Sequence, residues 1–250
     1  MKKKATLPST LIGVFMFFCL WQLMAFIVNR PILPGPIEVV PLFFLNITGE
    51  LGLHFLASAG RVLAAVFLAT IFAAPLGLAL GQMPKLDRVF GPLIAIIYPI
   101  PKIIFLPVIY VLMGISDFSK ITLIAIIIFF QILVVVRDEA SSLKKELILS
   151  VKSLGAGRRA LFRYVYLPAS LPAVLTALRV SVGTAVAVLF IAEQSLTNYG
   201  LGYYIVIETY QVLLYPEMYT GIMGMGILGV LLYFAIYAIE LKVSKHLFVE

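Results

Sequence analysis

Lys102, Arg179 and Glu193 are charged residues set inside, or at the end of, long apolar runs of this sequence. A charge in such a place costs at least a few kcal/mol unless it faces a cavity or a partner. Lys102 lies about 16 Å along a helix that starts near Gly91, close to the middle of a bilayer. There it either draws an anionic substrate along a pathway or snorkels and pairs internally, helped by a proline-broken backbone. Arg179, about two turns into its own run, either reaches an interface, bonds to carbonyls, or touches substrate. Glu193, beside Gln194 and Ser195, is either a gate residue or an interfacial carboxylate. Covalent or metal-assisted catalysis would need a nucleophile with a base, or a ligand cluster, and the interiors of the apolar runs hold no His, Asp or Glu. Cys19 is the single cysteine, so neither an internal disulfide nor a cysteine metal site is open to the chain. His54 and His246 lie far apart in sequence, near predicted membrane edges, and read as interfacial residues, not ligands. No Gly-x-x-x-x-Gly-Lys-Ser/Thr phosphate loop occurs, so the residues present do not cradle a nucleotide.

The elements that carry these residues are membrane helices. The sequence is 62% hydrophobic and 12% charged, with mean hydropathy +1.08, too few charges to cover a water-exposed surface. Six runs are long and apolar enough to span: Leu11–Val28, Val62–Met83, Gly91–Leu112, Lys120–Val136, Leu171–Ile191 and Tyr219–Ile239. Met1-Lys2-Lys3-Lys4 ahead of the first run imitates a signal peptide, but no small-x-small site follows, and the run reads as an uncleaved helix. Pro99, Pro101 and Pro107 should kink or break the third span. Residues 31–61 read as an outer loop ending in a short helix.

Lysine and arginine counts give the orientation. With the N-terminus inside, the inner segments hold 14 of the 19, from Lys2, Lys3 and Lys4 through Lys85 and Arg88, the 137–172 loop, and Lys242 and Lys245. Arg30, Arg61 and Lys120 fall outside, and Lys102 and Arg179 within spans. Both termini are therefore expected in the cytoplasm. The net charge of +7 is accounted for by topology and calls for no nucleic acid.

One loop is long and patterned. Glu139–Val151 reads as a helix, with Leu143, Leu147 and Val151 on one face. Gly155 suits a helix-ending turn. A second amphipathic stretch, Arg158-Arg159-Ala160-Leu161-Phe162-Arg163-Tyr164-Val165, is closed by Leu167-Pro168. A structured element that the spans do not need is expected to dock a cytosolic partner.

This loop resembles the cytoplasmic signature of binding-protein-dependent ABC importer permeases: Glu-Ala-Ala, three residues, Gly, nine residues, an aliphatic, one residue, Leu-Pro. Gly155, Val165, Tyr166, Leu167 and Pro168 stand at that spacing. Leu149-Ser150-Val151 occupy the Glu-Ala-Ala positions, so the acidic contact is missing or supplied by another residue such as Glu146. The nitrate/sulfonate/taurine-type branch is matched by Leu33-Pro34-Gly35-Pro36-Ile37-Glu38-Val39, by Pro99-Ile100-Pro101-Lys102-Ile103-Ile104-Phe105-Leu106-Pro107, and by Ala177-Leu178-Arg179. Ala192-Glu193 and Tyr199-Gly200-Leu201-Gly202-Tyr203 complete the ordered set.

The resemblance implies an all-α, MetI-like type I bundle of about six spans in the cell inner (plasma) membrane. It implies a single permease domain over 1–250, with its core over roughly 55–245 and an ATPase-coupling loop over 137–172. Ser150, Val151, Gly155, Ala156, Arg158, Arg159, Phe162, Leu167 and Pro168 would then meet the ATPase, with Lys102, Arg179 and Glu193 as pathway candidates. A separate ATPase subunit would bind ATP and Mg, leaving this chain without a cofactor and not an enzyme. A second permease copy and a periplasmic or lipid-anchored solute-binding protein complete the assembly. The branch favours small anions such as sulfonates, taurine or nitrate, while similar members carry thiamine-precursor pyrimidines or aromatic compounds. Gly200 and Gly202 suit an external turn that could join the binding-protein dock.

Two small-residue stripes, Ala65-Ala69-Ala73-Gly77-Gly81 and Ala173-Ala177-Ser181-Ala185, serve either ordinary bundle packing or a moving or homodimeric seam. Gly221, Gly224, Gly226 and Gly229 in the sixth span receive no function. The alternative class, an ion-gradient-driven secondary transporter, would carry intramembrane carboxylates and paired halves. Here Glu193 and Glu240 stand at span ends, and no half-to-half similarity is evident.

Overall fold

A computed structural model of the chain describes residues 7–143, 145–194 and 196–243. Lys2, Lys3, Lys4, Lys144, Ser195, Lys245 and His246 lie outside the described residues, as do the side chains of Lys145, Leu147 and Arg158. Every regular element among the described residues is helical. Among the described residues five helices are long and apolar enough to cross a membrane, and one bent pair makes a sixth if counted as one span.

The first span, α1 (Leu7–Val28), is apolar all round, and of residues 11–28 only Ala25 is buried. Such a helix suits lipid on most faces. The second helix, α2 (Pro36–Asn46), starts with Pro36, whose missing N–H is harmless in a first turn, and buries Val39 and Phe43.

Residues 31–61 differ from the outer loop expected. No proline interrupts 50–61, and Glu50 sits favourably in a first turn, so α3 runs unbroken over Glu50–Gln82. Its 33 residues reach about 50 Å, well beyond a hydrocarbon core of about 30 Å. Arg61 and Lys120, counted above as outer-loop charges, lie within α3 and within α6 (Asp117–Ser142), respectively, and both are buried. Arg61 donates to Asp117 Oδ1 from Nε at 2.9 Å, and its Nη2 lies 2.7 Å from the same oxygen.

The third span is broken. Helix α4 (Pro84–Ile97) meets a 3₁₀ turn (Lys102–Phe105) and α5 (Leu106–Met113) at 81°. Pro99 and Pro101 lack N–H groups and cannot continue the helical ladder, although Tyr98, just before Pro99, still holds helical dihedrals of −55° and −47°. Gly114, at φ +72°, ends α5 where a side chain would be strained. Ser116 and Ser119 then start α6 with a reciprocal cap, each hydroxyl accepting the other's N–H at 3.3 and 3.1 Å.

The helix expected over Glu139–Val151 is two. The hydroxyls of Ser141 and Ser142 donate back to the carbonyls of Asp138 and Glu139 at 2.8 Å each, competing with the helical ladder. The chain leaves α6 at Leu143 and resumes as α7 (Lys145–Ser153). Leu167-Pro168 does not close the next segment. Helix α8 (Arg158–Leu161), a π turn (Phe162–Tyr166) and α9 (Leu167–Glu193) form one helical span over Arg159–Glu193. In the π turn Leu167 N–H bonds to Phe162 O, five residues back. The widened register just ahead of Pro168 eases the clash a proline ring makes with the preceding turn. After α9 come α10 (Leu201–Tyr203), a second π segment (Tyr204–Tyr210) and α11 (Tyr215–Val243).

The chain divides into two compact units, 1–57 with 193–226 and 58–192 with 227–250. In the second, Ala65, Ala69 and Ala73 of α3 and Ala177, Ser181 and Ala185 of α9 are all buried. A Cβ on Gly77 would lie 2.9 Å from Leu133 O, and one on Gly81 2.5 Å from Arg137 O. These small residues let α3 lie against α6 at close range, and the buried members of both stripes pack within the chain, while Ala173 is half-buried. In the first unit, Gly221 of α11 likewise receives Tyr204 and Ile205.

Candidate functional site

The segment expected to meet an ATPase is a short helix, a glycine turn and the start of a span. Gly155 holds φ +83°, and its N–H donates to Lys152 O at 2.9 Å while Ala156 N–H reaches Val151 O at 3.4 Å. This left-handed cap satisfies carbonyls at the end of α7 and turns the chain toward α8. Ser150 faces solvent, its hydroxyl donating to Glu146 O at 2.8 Å, and Glu146 is exposed in the first turn of α7. Val151 and Ala156 are half-buried, whereas Gly155, Arg159, Phe162, Leu167 and Pro168 are exposed. Leu161 and Val165 anchor the segment by burial. Leu149, Phe162 and Tyr164 are exposed, and Leu154 at the turn is 85% exposed. Apolar side chains presented on a short, built element mark a surface made for contact.

The pathway candidates each have company. Lys102 is 9% exposed, and its ammonium donates to the carbonyls of Ile97, Tyr98 and Ile100 at 3.1, 2.9 and 3.1 Å. It also lies 4.6 Å from the centre of the Phe130 ring, so its charge closes the broken span from within. Arg179 is flanked by the rings of Tyr233 and Tyr237, with its Nη1 3.2 Å from the Tyr233 hydroxyl. Its Nε lies 3.1 Å from Glu240 Oε2 but off the hydrogen-bonding line, so that contact is electrostatic. Glu240, expected at a span end, is buried within α11 and accepts from Thr176 at 2.8 Å. Glu193, the last residue of α9, is fully buried and accepts the Gly202 N–H at 3.0 Å.

Sequence reading missed a cluster in the first unit. His54, read as interfacial, is 3% exposed within α3. Its Nδ1 accepts the Gly200 N–H at 3.0 Å, and its Nε2 lies 3.1 Å from Glu208 Oε2, again off the ideal line. Glu50, one turn before His54, completes a set of three whose donor atoms lie within 4.8 Å of one another. The spacing could suit a cation, but the hydrogen bonding does not. An Nδ1 that accepts leaves the neutral ring's proton on Nε2, where a metal would need the lone pair. Glu50, Glu208 and Glu217 line a cavity of about 550 Å³ with Tyr204 and Asn46. Burial pushes the Glu208 carboxyl above the ordinary range, and the charge of Glu50 adds to the rise. The i, i+4 spacing of Glu50 and His54 was the one sequence signal, and it names no partner. Asp87 and Arg137 form a second unforeseen pair, two-pronged, with Nη2 to Oδ2 at 2.9 Å.

Comparison with known proteins gives these elements a context. The family described as binding-protein-dependent transport system inner membrane component matches residues 67–247. The taurine transport system permease protein TauC of Escherichia coli (strain K12) is 31% identical over 219 residues, covering 85% of this chain and 79% of that protein. The formylaminopyrimidine transport permease protein ThiX of Halalkalibacterium halodurans is 28% identical over 76% of each chain. A putative aliphatic sulfonates transport permease protein, SsuC of Bacillus subtilis, is 25% identical over 97% of this chain and 87% of its own. Among solved structures, an inward-facing form of the MetNI methionine ABC transporter superposes with TM-score 0.66 at 23% identity, over 81% of this chain and 98% of that one. That likeness shows the fold.

Proposed function

Because the chain belongs to the binding-protein-dependent transport system inner membrane components, we propose that it passes a small sulfonate, taurine among the candidates, handed to it by a separate solute-binding protein. It is a multi-pass permease subunit of an ABC importer, a transport component and not an enzyme. The single observation that carries the mechanism is the α7–α8 element, an exposed apolar turn at Leu154 built directly onto a span. An ATPase subunit grips that turn from the cytoplasm, where both termini also lie. ATP, with Mg, is bound and hydrolysed there. Closure of two ATPases draws the α7–α8 elements of two permease copies together and switches the pathway outward. Ser150, Val151, Gly155, Ala156, Arg158, Arg159 and Phe162 form the contact, with Leu167 and Pro168 at its root.

The sulfonate assignment draws on the taurine and sulfonate permeases among the relatives. A thiamine-precursor pyrimidine is the second reading, favoured by the formylaminopyrimidine relative. Proteoliposomes holding the permease, its ATPase and its binding protein should take up radiolabelled taurine or a short alkanesulfonate in an ATP-dependent manner. Uptake of a formylaminopyrimidine alone would overturn the sulfonate assignment. For the coupling contact, Leu154→Asp should abolish co-purification of the ATPase while leaving the permease folded. Undiminished co-purification would move the contact elsewhere.

A further inference from the structure

His54 is a buried imidazole whose hydrogen bonding fixes its protonation state. Gly200 N–H can only donate, and it points at Nδ1 from 3.0 Å. Nδ1 therefore carries a lone pair while this bond lasts. From another helix, the buried carboxylate of Glu193 accepts Gly202 N–H at 3.0 Å. Two buried acceptors thus hold two nearby backbone N–H groups of one turn. Gly200 itself has φ +121° and ψ 159°, a conformation open to glycine, so the turn is set by its anchors and not by local preference. The segment presents exposed Leu196 and Tyr199 to solvent, 64% and 62% exposed.

We propose that His54 is the positioning residue that holds segment 196–203 in the form that receives the solute-binding protein, and that one proton on its Nδ1 releases the segment. The delivery role rests on the importer reading above, with residues 196–214 on the outer side of the membrane. The chemistry is a single proton transfer from outer solvent to Nδ1. An imidazolium bears N–H at both ring nitrogens, so Nδ1–H would face Gly200 N–H, donor against donor, and the bond that fixes the turn is lost. Glu208 faces the ring from the π segment and Glu50 from one turn earlier on α3. The rings of Tyr199, Tyr203 and Tyr204 surround it at 6.5, 6.1 and 5.4 Å. The carboxylates give the cationic ring partners once Gly200 has let go, so the released form is a state and not merely a broken one.

The test is hydrogen–deuterium exchange on the full chain with its ATPase in nanodiscs, at pH 7.5 and 5.5, corrected for intrinsic exchange rates. In the unaltered protein, protection over 196–203 should fall by up to about tenfold per pH unit below the titration of the ring. His54→Asn places an amide oxygen where Nδ1 stands but cannot take the proton, so its protection should match at both pH values. His54→Gln reaches the Nε2 position instead and should lose protection at both. Equal protection of the unaltered protein at both pH values, or an Asn variant that follows it, overturns the latch. ATP hydrolysis stimulated by the binding protein loaded with taurine supplies the second readout. It should drop at pH 5.5 in the unaltered complex and stay level in His54→Asn. Proton-gated exchange with flat stimulation overturns the positioning role. Absence of stimulation at every pH overturns the importer reading on which the delivery role rests, while the exchange arm still decides whether the latch exists.

Discussion

Lys102 keeps company with backbone. The carbonyl of Ile97 would ordinarily accept from the residue four positions on, which is Pro101 and has no N–H. Ile97 O accepts the Ile100 N–H instead, at 3.2 Å, and the Lys102 ammonium adds a further donor there and at Tyr98 and Ile100. Lys102→Met should therefore destabilise the purified protein by about 1–3 kcal/mol, the cost of leaving buried acceptors unmade. A thermal melt in detergent reads this directly, and an unchanged melt would return Lys102 to the pathway as its main role. Glu208 gives a prediction with a pH sign. Its folded pKa lies above its unfolded one, so the folded state binds the extra proton and stability falls as pH rises between the two values. Glu208→Gln removes that penalty. It should raise the melting temperature at pH 8 and leave it unchanged below the ordinary carboxyl value of about 4.3. At this scale the sequence was readable where chemistry is local: Gly155 as a helix end and the prolines as a break follow from neighbours along the chain. The partner of His54 was not, because Gly200 is 146 residues away and its N–H leaves no mark in the sequence.

Helices show the same division. Spans were legible from apolar length, and the capping of α6 by Ser116 and Ser119 agrees with local rules. Boundaries failed where two weak signals competed. The serine pair 141–142 ended α6 early, and the π turn carried the helix through Pro168, since a widened turn has no residue pattern of its own. The stripe Ala65–Gly81 was legible as a close-packing face, but whether against this chain or a second copy needed three dimensions. Gly81 is its tightest point, with Arg137 O and Ala140 Cβ at 2.5 and 2.7 Å from a built Cβ. Gly81→Ala should cost about 1–3 kcal/mol through overpacking. Gly60→Ala, in the same helix with nothing within 4 Å, should be neutral or slightly stabilising. Equal thermal shifts for the two would show that the α3–α6 contact is loose.

Over the whole molecule, the permease assignment rests on the family match over residues 67–247 and on the taurine permease relative, and the fold adds a bent third segment, a capped glycine turn, a helix through the Leu-Pro and a buried glutamate before a glycine turn. One of these has a mechanical consequence. The helical span Arg159–Glu193 carries 35 residues, about 52 Å of rise, and stays helical through Pro168 and Pro172. A rod of that length, tilted by about 10° around its middle, moves each end by about 4–5 Å. On the proposed coupling, force applied beside Leu154 arrives near Glu193 as displacement. Two glycines inserted after Tyr166 would turn the rod into a slack joint. ATP should then still be hydrolysed, and uptake per ATP should collapse. The π turn ahead of Pro168 is what keeps this lever continuous, carrying the helix through a residue that would otherwise end it.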